Sequence, residues 1–315
     1  MNDNSLSQAI FLMGPTASGK TNAAVALLQQ FPVEIISVDS ALVYQGMDIG
    51  TAKPDPETLK VAPHHLINIV PPTAAYSAAN FRQEALALMA EITARGKIPL
   101  LVGGTMLYFK ALENGLSGLP AADQNIRAHI DLEAEAIGWP GMHQKLATID
   151  PETASRLMPN DMQRIQRALE VYAITGKTMT SLYALQANDT LPYDALKIAL
   201  VPSDRMVLHD RIAMRFKQML ADGFVDEVKQ LLLQYPSLTA QSTSMRCVGY
   251  RQALMYLAGE YDLDELCDRG IFATRQLAKR QLTWLRGMDG LSIVDCVDNE
   301  TMKSDCSRLV KTFLK

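Results

Sequence analysis

Eight residues, GPTASGKT at positions 14–21, satisfy G-x-x-x-x-G-K-[ST], the spacing of a phosphate-binding loop. Such a loop must turn tightly while aiming several backbone N–H groups at an anion, and Gly14 and Gly19 permit the turn. Gly14, Pro15, Thr16, Ala17, Ser18, Gly19, Lys20 and Thr21 are therefore the candidate cradle. A following helix adds the positive end of its dipole. Lys20 supplies a full charge to the terminal phosphate, and the Thr21 hydroxyl is the usual ligand for Mg²⁺. The motif alone does not choose between a nucleotide and another pyrophosphate.

Asp39 closes the apolar run VEIISV. A carboxylate there can cap the next segment, act as a partner of Mg²⁺, or serve as a general base facing a substrate. Ser40 beside it has the same alternatives. The stretch MDIGTAKP, 47–54, reads as a surface loop that would overhang such a site. Gly103-Gly104-Thr105 offers either close backbone approach and a hydroxyl for one hydrogen bond, or a strand-to-helix turn with Thr105 as N-cap.

Basic residues gather in RGIFATRQLAKRQLTWLR, 269–286, which contains no acid. On a helix, Arg275, Lys279 and Arg286 share one face, and Leu277 and Trp284 lie together elsewhere. Five bases without an acid, in a chain of net charge −4, point to contact with a polyanion. DMQRIQRALE sets Arg164 and Arg167 three apart beside Gln163 and Gln166, which can read base edges. SMRCVGYRQ holds Arg246, Arg251 and Tyr250, the last either a base-stacking ring or a core residue. His64 and His65 are adjacent, point in different directions, and have no other His or Cys at metal-ligand spacing.

Positioning these groups requires a scaffold. Apolar runs at 8–13, 33–38, 98–102 and 197–201 have strand length, and helical periodicity occupies 20–30 and 78–95. Strands alternating with helices argue for an α/β fold with a parallel sheet, whose ligands bind at the carboxyl ends of the strands. Residues 120–186 read as helices broken at Gly138-Trp139-Pro140, Asp150-Pro151 and Thr175-Gly176. The expected organisation is a core from 1–114 and 196–290, a helical insertion at 115–195, and an unassigned tail at 291–315. The chain's 315 residues suffice for this. Its four cysteines read as reduced thiols, and neither a signal peptide nor a membrane span is evident, so the expected compartment is the cytoplasm. No coiled coil or exposed apolar stripe is visible, and a monomer is expected.

GPTASGKT, DSALVYQGMDIGTAKP, HHLINI, YSAANFR, GGTMLYFKAL, DMQRIQRALEVYAITG, MRCVGYRQ and RQLAKRQLTWLR follow in this order between residue 9 and about 286. Together they resemble the bacterial tRNA dimethylallyltransferases, also called tRNA isopentenyltransferases or the IPP transferase family. The resemblance implies a phosphate-loop NTPase-like core with an inserted helical domain that clasps the tRNA anticodon stem-loop. It implies transfer of a dimethylallyl group from dimethylallyl diphosphate to the exocyclic amine of an adenosine beside the anticodon, with Mg²⁺. By matched motif, residues 14–21 would hold diphosphate and Asp39 would take the amine proton. Thr105 would contact the adenosine, and Arg127 would sit over the diphosphate. Asp39, Ser40, Ala41 and Leu42 would line the tRNA, as would Gln163, Arg164, Ile165, Gln166 and Arg167. So would Met245, Arg246, Cys247, Val248 and Gly249, and the 277–284 stretch with Lys279 and Arg280. Three rivals share part of the pattern: a small-molecule kinase using ATP, an isopentenyltransferase of free adenine nucleotides, and a non-catalytic RNA-binding switch.

Overall fold

The computed structural model describes residues 6–115, 119–120, 122–184 and 190–315. The expectations for the N-terminal residues 1–5, and for the parts of the insertion at 116–118, 121 and 185–189, lie outside them. The chain forms two compact units: Met1–Leu112 with Pro192–Lys315, and Glu113–Leu191.

The first unit is built on six parallel strands in the order β3-β2-β4-β1-β5-β6. They are β1 (Ser7–Met13), β2 (Val33–Val38), β3 (His64–His65), β4 (Ile98–Gly103), β5 (Tyr193–Val201) and β6 (Leu291–Asp295). A parallel sheet covered on both faces buries both sides of its strands, which is why IFLM in β1 is an unbroken apolar run. Ile10 and Leu12 join a core with Leu27, Ile198 and Val310, while Phe11 packs 5.3 Å from the Phe109 ring. In register, Gly103 pairs with both Met13 and Val38, so β1, β2 and β4 end level and their following loops meet at one edge.

The helices of this unit are α1 (Lys20–Gln30), α2 (Pro56–Val61), α3 (Ala78–Ala94) and α4 (Met106–Asn114), whose last residues, from 113 on, belong to the second unit. The helical unit holds α5 (Gln124–Ile149), α6 (Pro151–Ser155), α7 (Met162–Thr175) and α8 (Met179–Ala184). The core unit resumes with α9 (Arg205–Ala221), α10 (Phe224–Gln234), α11 (Tyr250–Leu257), α12 (Leu263–Arg286) and α13 (Asn299–Phe313). Helix α12 starts at an Asp262 cap, carries Asp264 and Glu265 in its first turn, and ends on Arg286, all favourable to its dipole. No helix among the described residues is long and apolar enough to cross a membrane.

The stretch 291–315 corrects an expectation. It is part of the core, not a tail: β6 extends the sheet beside β5, and α13 packs on α1. Met302, Cys306 and Val310, spaced by four, place one apolar face of α13 in the core with Ala23, Ala24 and Leu27. The two-residue β3 and the short β6 carry too little periodicity to be read as strands from sequence.

The helical unit follows its punctuation. Gly138, at φ 71°, kinks α5 beside Pro140; Asp150 caps α6 by accepting from Thr153 N; Gly176, at φ 67°, ends α7. Ile165 is fully buried in this unit's core with Ile130, Met142 and Leu146. It was expected on a tRNA surface, and burial excludes that contact.

Candidate active site

The loops at the level ends of β1, β2 and β4 open into a cavity of about 620 Å³, closed on its other sides by α9 and α12. Thr16 to Thr21 line it; Gly14 and Pro15 lie behind them. The loop reaches α1 through Ala17 at φ 63° and Gly19 at φ 87°. Left-handed backbone suits Gly19 and strains Ala17, a strain that clusters at ligand-binding turns. The Lys20 ammonium donates to the Gly14 and Pro15 carbonyls at 3.0 and 2.6 Å.

One side chain from α12 secures the loop. Gln281 Oε1 accepts from Thr16 N at 2.8 Å, and its Nε2 donates to Gly104 O at 2.8 Å. This amide explains the second glycine of GGT: a Cβ on Gly104 would lie 2.4 Å from Gln281 Nε2. The first glycine faces the end of β2, where a Cβ would lie 2.0 Å from Val38 O. Thr105 does not cap α4 with its hydroxyl. That oxygen accepts from Ser40 N at 3.0 Å and donates to Ser40 Oγ at 3.3 Å, tying the GGT turn to the end of β2.

Asp39 lies half-buried on the cavity wall. Its Oδ1 accepts from Ala41 N at 2.8 Å and Leu42 N at 3.4 Å, so one oxygen performs the capping role. The other takes no hydrogen bond among the described residues and is available to a ligand. Burial pushes the Asp39 carboxyl above the usual range, against the opposing pull of those amides and of Lys20. Burial likewise pushes the Lys20 ammonium down to about 8, opposed by Asp39 and aided by the Arg215 charge. Arg215, on α9, lines the same cavity, and desolvation with the neighbouring Arg211 lowers its own pKa. Sequence reading missed Arg215, Gln281 and Glu227; the i, i+4 pair Arg211 and Arg215 was the available signal for the first.

Part of the lining is apolar, with Ile212, Phe216, Met219, Leu277 and Trp284. Leu277 and Trp284 thus share the face that their spacing foretold. The 47–54 stretch does line the cavity through Gly50, Thr51, Ala52 and Pro54, but it is not a free surface loop. Glu227 accepts from the backbone N–H groups of Asp48, Ile49 and Gly50 at 2.9, 2.6 and 3.2 Å. The Lys53 side chain, 3% exposed, donates to Tyr44 O and pairs with Asp48.

Several expected contacts move. Tyr250 is fully buried and donates its hydroxyl to Glu227, so it is a core residue and not a stacking platform. Met245 is fully buried and Gly249 is buried as the N-cap of α11, which removes both from an RNA surface. Ser40, Ala41, Leu42, Arg246, Cys247, Val248 and Arg280 do line the cavity, whereas Lys279 is exposed on α12 without lining it. His64 lines it too, with Nδ1 2.7 Å from Ala62 O and its pKa lowered by burial; His65 turns away to Glu34. In the helical unit, Arg127 makes a two-pronged contact with Glu170 at 2.8 and 3.1 Å, and Arg167 reaches the same carboxylate at 2.7 Å. Arg164 pairs with Asp161 and Gln166 with Asp131, while Gln163 lies on the same helix.

The donor set bears on a divalent ion. Among the described residues no three His, Cys, Asp or Glu side chains converge. Oxygen donors line the same cavity: Thr21, and the buried hydroxyls of Ser18 and Ser37, which have no hydrogen-bond partner among the described residues. Hydroxyls beside a phosphate loop fit Mg²⁺ carried on a ligand's own phosphate oxygens rather than in a protein cage.

A family model described as IPP transferase matches residues 42–288, and one described as isopentenyl transferase matches residues 7–69. The tRNA dimethylallyltransferase of Methylobacillus flagellatus is 64% identical, over 97% of this chain and 97% of that one. That of Nitrosomonas europaea is 56% identical over 92% of each. Among solved structures, the tRNA isopentenylpyrophosphate transferase of Bacillus halodurans has a TM-score of 0.72 at 35% identity, covering 98% of this chain and 97% of that one. A eukaryotic dimethylallyltransferase acting on tRNA has a TM-score of 0.83 at 28% identity, covering 98% of this chain and 79% of its own.

Proposed function

This chain belongs to the IPP transferase family, and on that premise we propose that it is a tRNA dimethylallyltransferase: it moves a dimethylallyl group from dimethylallyl diphosphate to the exocyclic amine of the adenosine on the 3′ side of the anticodon, releasing diphosphate. The observation that carries this reading is one cavity lined by a cationic phosphate loop, by apolar side chains and by Asp39 with one carboxylate oxygen free among the described residues. A short isoprenoid diphosphate has that same division.

The adenine amine is a weak nucleophile because its lone pair is delocalised into the ring. As the new N–C bond forms and the allylic C–O bond breaks, the nitrogen must lose a proton. Asp39 takes it, its basicity raised by burial. Negative charge grows on the leaving diphosphate. The loop amides, Lys20 and Arg215 stabilise it. Thr21 with the Ser18 and Ser37 hydroxyls would hold Mg²⁺, which adds further charge to the diphosphate site. Ile212, Phe216 and Trp284 shield the allylic carbon from water. Thr105 and Ser40 hold the adenosine. The basic residues Arg164, Arg167, Arg246, Lys279 and Arg280, with Gln163 and Gln166, grip the anticodon stem-loop.

The test is an assay with purified protein, Mg²⁺, radiolabelled dimethylallyl diphosphate, and two acceptors, unmodified tRNA and AMP. Label entering only tRNA supports the reading. Label entering AMP moves the function to free nucleotides. In the same assay Asp39→Ala lowers turnover by about two or more orders of magnitude with tRNA affinity almost intact; near-normal turnover removes Asp39 from the role of base.

A further inference from the structure

Three successive backbone N–H groups, those of Asp48, Ile49 and Gly50, converge on one carboxylate. Consecutive amides turned inward form a concave anion site of the kind that receives phosphates. Here the site is filled from within, by Glu227 of α10. Its Oε2 accepts from Asp48 N and Ile49 N, and its Oε1 accepts from Gly50 N and the Tyr250 hydroxyl. Each oxygen is thus engaged twice, and hydrogen bonds to an ionised acceptor are strong ones. The same turn of α10 supplies a floor. Phe224, three residues before Glu227, carries a ring on which Gly50 rests: a Cβ there would lie 2.1 Å from the Phe224 ring and 2.7 Å from the Tyr250 ring. Residues of MDIGTAKP and of MRCVGYRQ therefore meet in one internal anchorage, which the reaction proposed above leaves without a task.

The anchorage holds the far end of a stretch that begins at Asp39. Lys53 Nζ donates to Asp48 Oδ1 at 2.6 Å and to Tyr44 O at 2.9 Å. Tyr44 N donates to Ala41 O at 3.3 Å, and Ala41 N donates to Asp39 Oδ1 at 2.8 Å. A continuous run of short chain segments and hydrogen bonds therefore leads from Glu227 to the carboxylate that faces the cavity. Other braces act on the same stretch: Thr105 accepts from Ser40 N, and residues 42–45 are bonded to residues 68–70. Removing Glu227 therefore shifts Asp39 and does not release it.

We propose that Glu227 is a positioning residue for the transfer step: by filling the anion site at 48–50 it fixes the stretch that carries Asp39, and so sets the direction from which the free Asp39 oxygen meets the adenine amine. The inference rests on the transferase reading above and on Asp39 as its base. Glu227 itself touches no reacting atom; its carboxylate is fully occupied by the protein.

The experiment uses the full chain, unmodified tRNA, Mg²⁺ and radiolabelled dimethylallyl diphosphate. Glu227→Ala lowers kcat by about 10- to 100-fold, the scale of a displacement of about 1 Å at a reacting group. KM for dimethylallyl diphosphate stays near the wild-type value, because Gln281 secures the phosphate loop separately. Formate occupies the vacated anion site and restores kcat saturably, whereas chloride at equal ionic strength does not. Glu227→Gln conserves volume and leaves no void, but it sets an NH₂ group among donors. Its kcat falls by less, and formate, having no room, does not restore it. In an Asp39→Ala background Glu227→Gln costs nothing further, since the group it orients is gone. Normal kcat in Glu227→Gln, an alanine-variant loss that formate leaves untouched, or the same proportional loss with and without Asp39 overturns the inference. If the wild-type chain forms no product, the transferase reading itself falls. If Asp39→Ala turns over normally, the base assignment falls; in either case this inference falls with it.

Discussion

Gln281 joins two motifs that lie far apart in sequence, and its contribution can be isolated with a double-mutant cycle against Gly104. Gln281→Ala deletes the hydrogen bonds to Thr16 N and Gly104 O, each worth about 1 kcal/mol net, so the single variant loses about 2 kcal/mol. Gly104→Ala places a methyl 2.4 Å from Gln281 Nε2, an overpacking cost of about 1–3 kcal/mol. In the double variant that contact is gone and the tightest remaining approach is 3.1 Å, to the Gly14 carbonyl. The two losses therefore do not add; the pair shows a coupling of about 1–2 kcal/mol. For a unit of this size, each kcal/mol moves Tm by about 2–4 °C, well within the resolution of calorimetry. Activity adds an independent readout. Thr16 is the amide at the head of the phosphate cradle, and a displacement of about 1 Å there can cost about 100-fold, so both singles raise KM for dimethylallyl diphosphate. Gly104→Ala costing as much in the Gln281→Ala background as in the wild type would refute the clash argument. Gln281→Ala with normal Tm and normal KM would refute the securing role altogether.

Other tests are simpler. Turnover traces a bell against pH: the acid limb sits above the usual carboxylate range as Asp39 protonates, and the alkaline limb falls near 8 as Lys20 loses its charge, so a flat profile from 5 to 9 contradicts both shifts. The linked stability has a definite sign. Lys20 has a folded pKa below its unfolded value, so its burial destabilises the fold below pH 8 and that cost is relieved between about 8 and 10.5; unliganded Lys20→Met should lose this rise in urea titrations over that window. Arg215→Ala raises the Kd for inorganic diphosphate by about tenfold or more, measured calorimetrically; an unchanged Kd places the guanidinium outside the anion site.

The sequence made the phosphate loop and the four longer strands legible because each is local: a fixed spacing of glycines and charge, or an apolar run of strand length. Gly138, Asp150 and Gly176 were equally local signals, and each marks a helix boundary or kink where punctuation predicts one. What stayed hidden depends on partners distant in the chain. Arg215 acquires meaning only when α9 lies beside Lys20, and Gln281 only when α12 reaches both the phosphate loop and the GGT turn. Tyr250 sits among arginines in a motif that leaves it either base-stacking or core, and Glu227 and the Phe224 ring hold it in the core. Ile165, between Arg164 and Gln166, shows the same limit: a motif names a helix, and helical geometry turns every third or fourth residue inward.

The packing of α13 on α1 also bears on how the protein comes into being. The Ser307 hydroxyl donates to Gln30 Oε1 across 277 residues, at the end of a contact that buries Met302, Cys306 and Val310 against Ala23, Ala24 and Leu27. Closing so long a loop is slow, and until it closes α1 has the cover of β1, β2 and β4 but lacks the part that α13 supplies. A nascent chain therefore carries α1 only partly covered until α13 has been made. Ribosome-bound intermediates would be the aggregation-prone species, and demand for chaperones would be greatest late in synthesis.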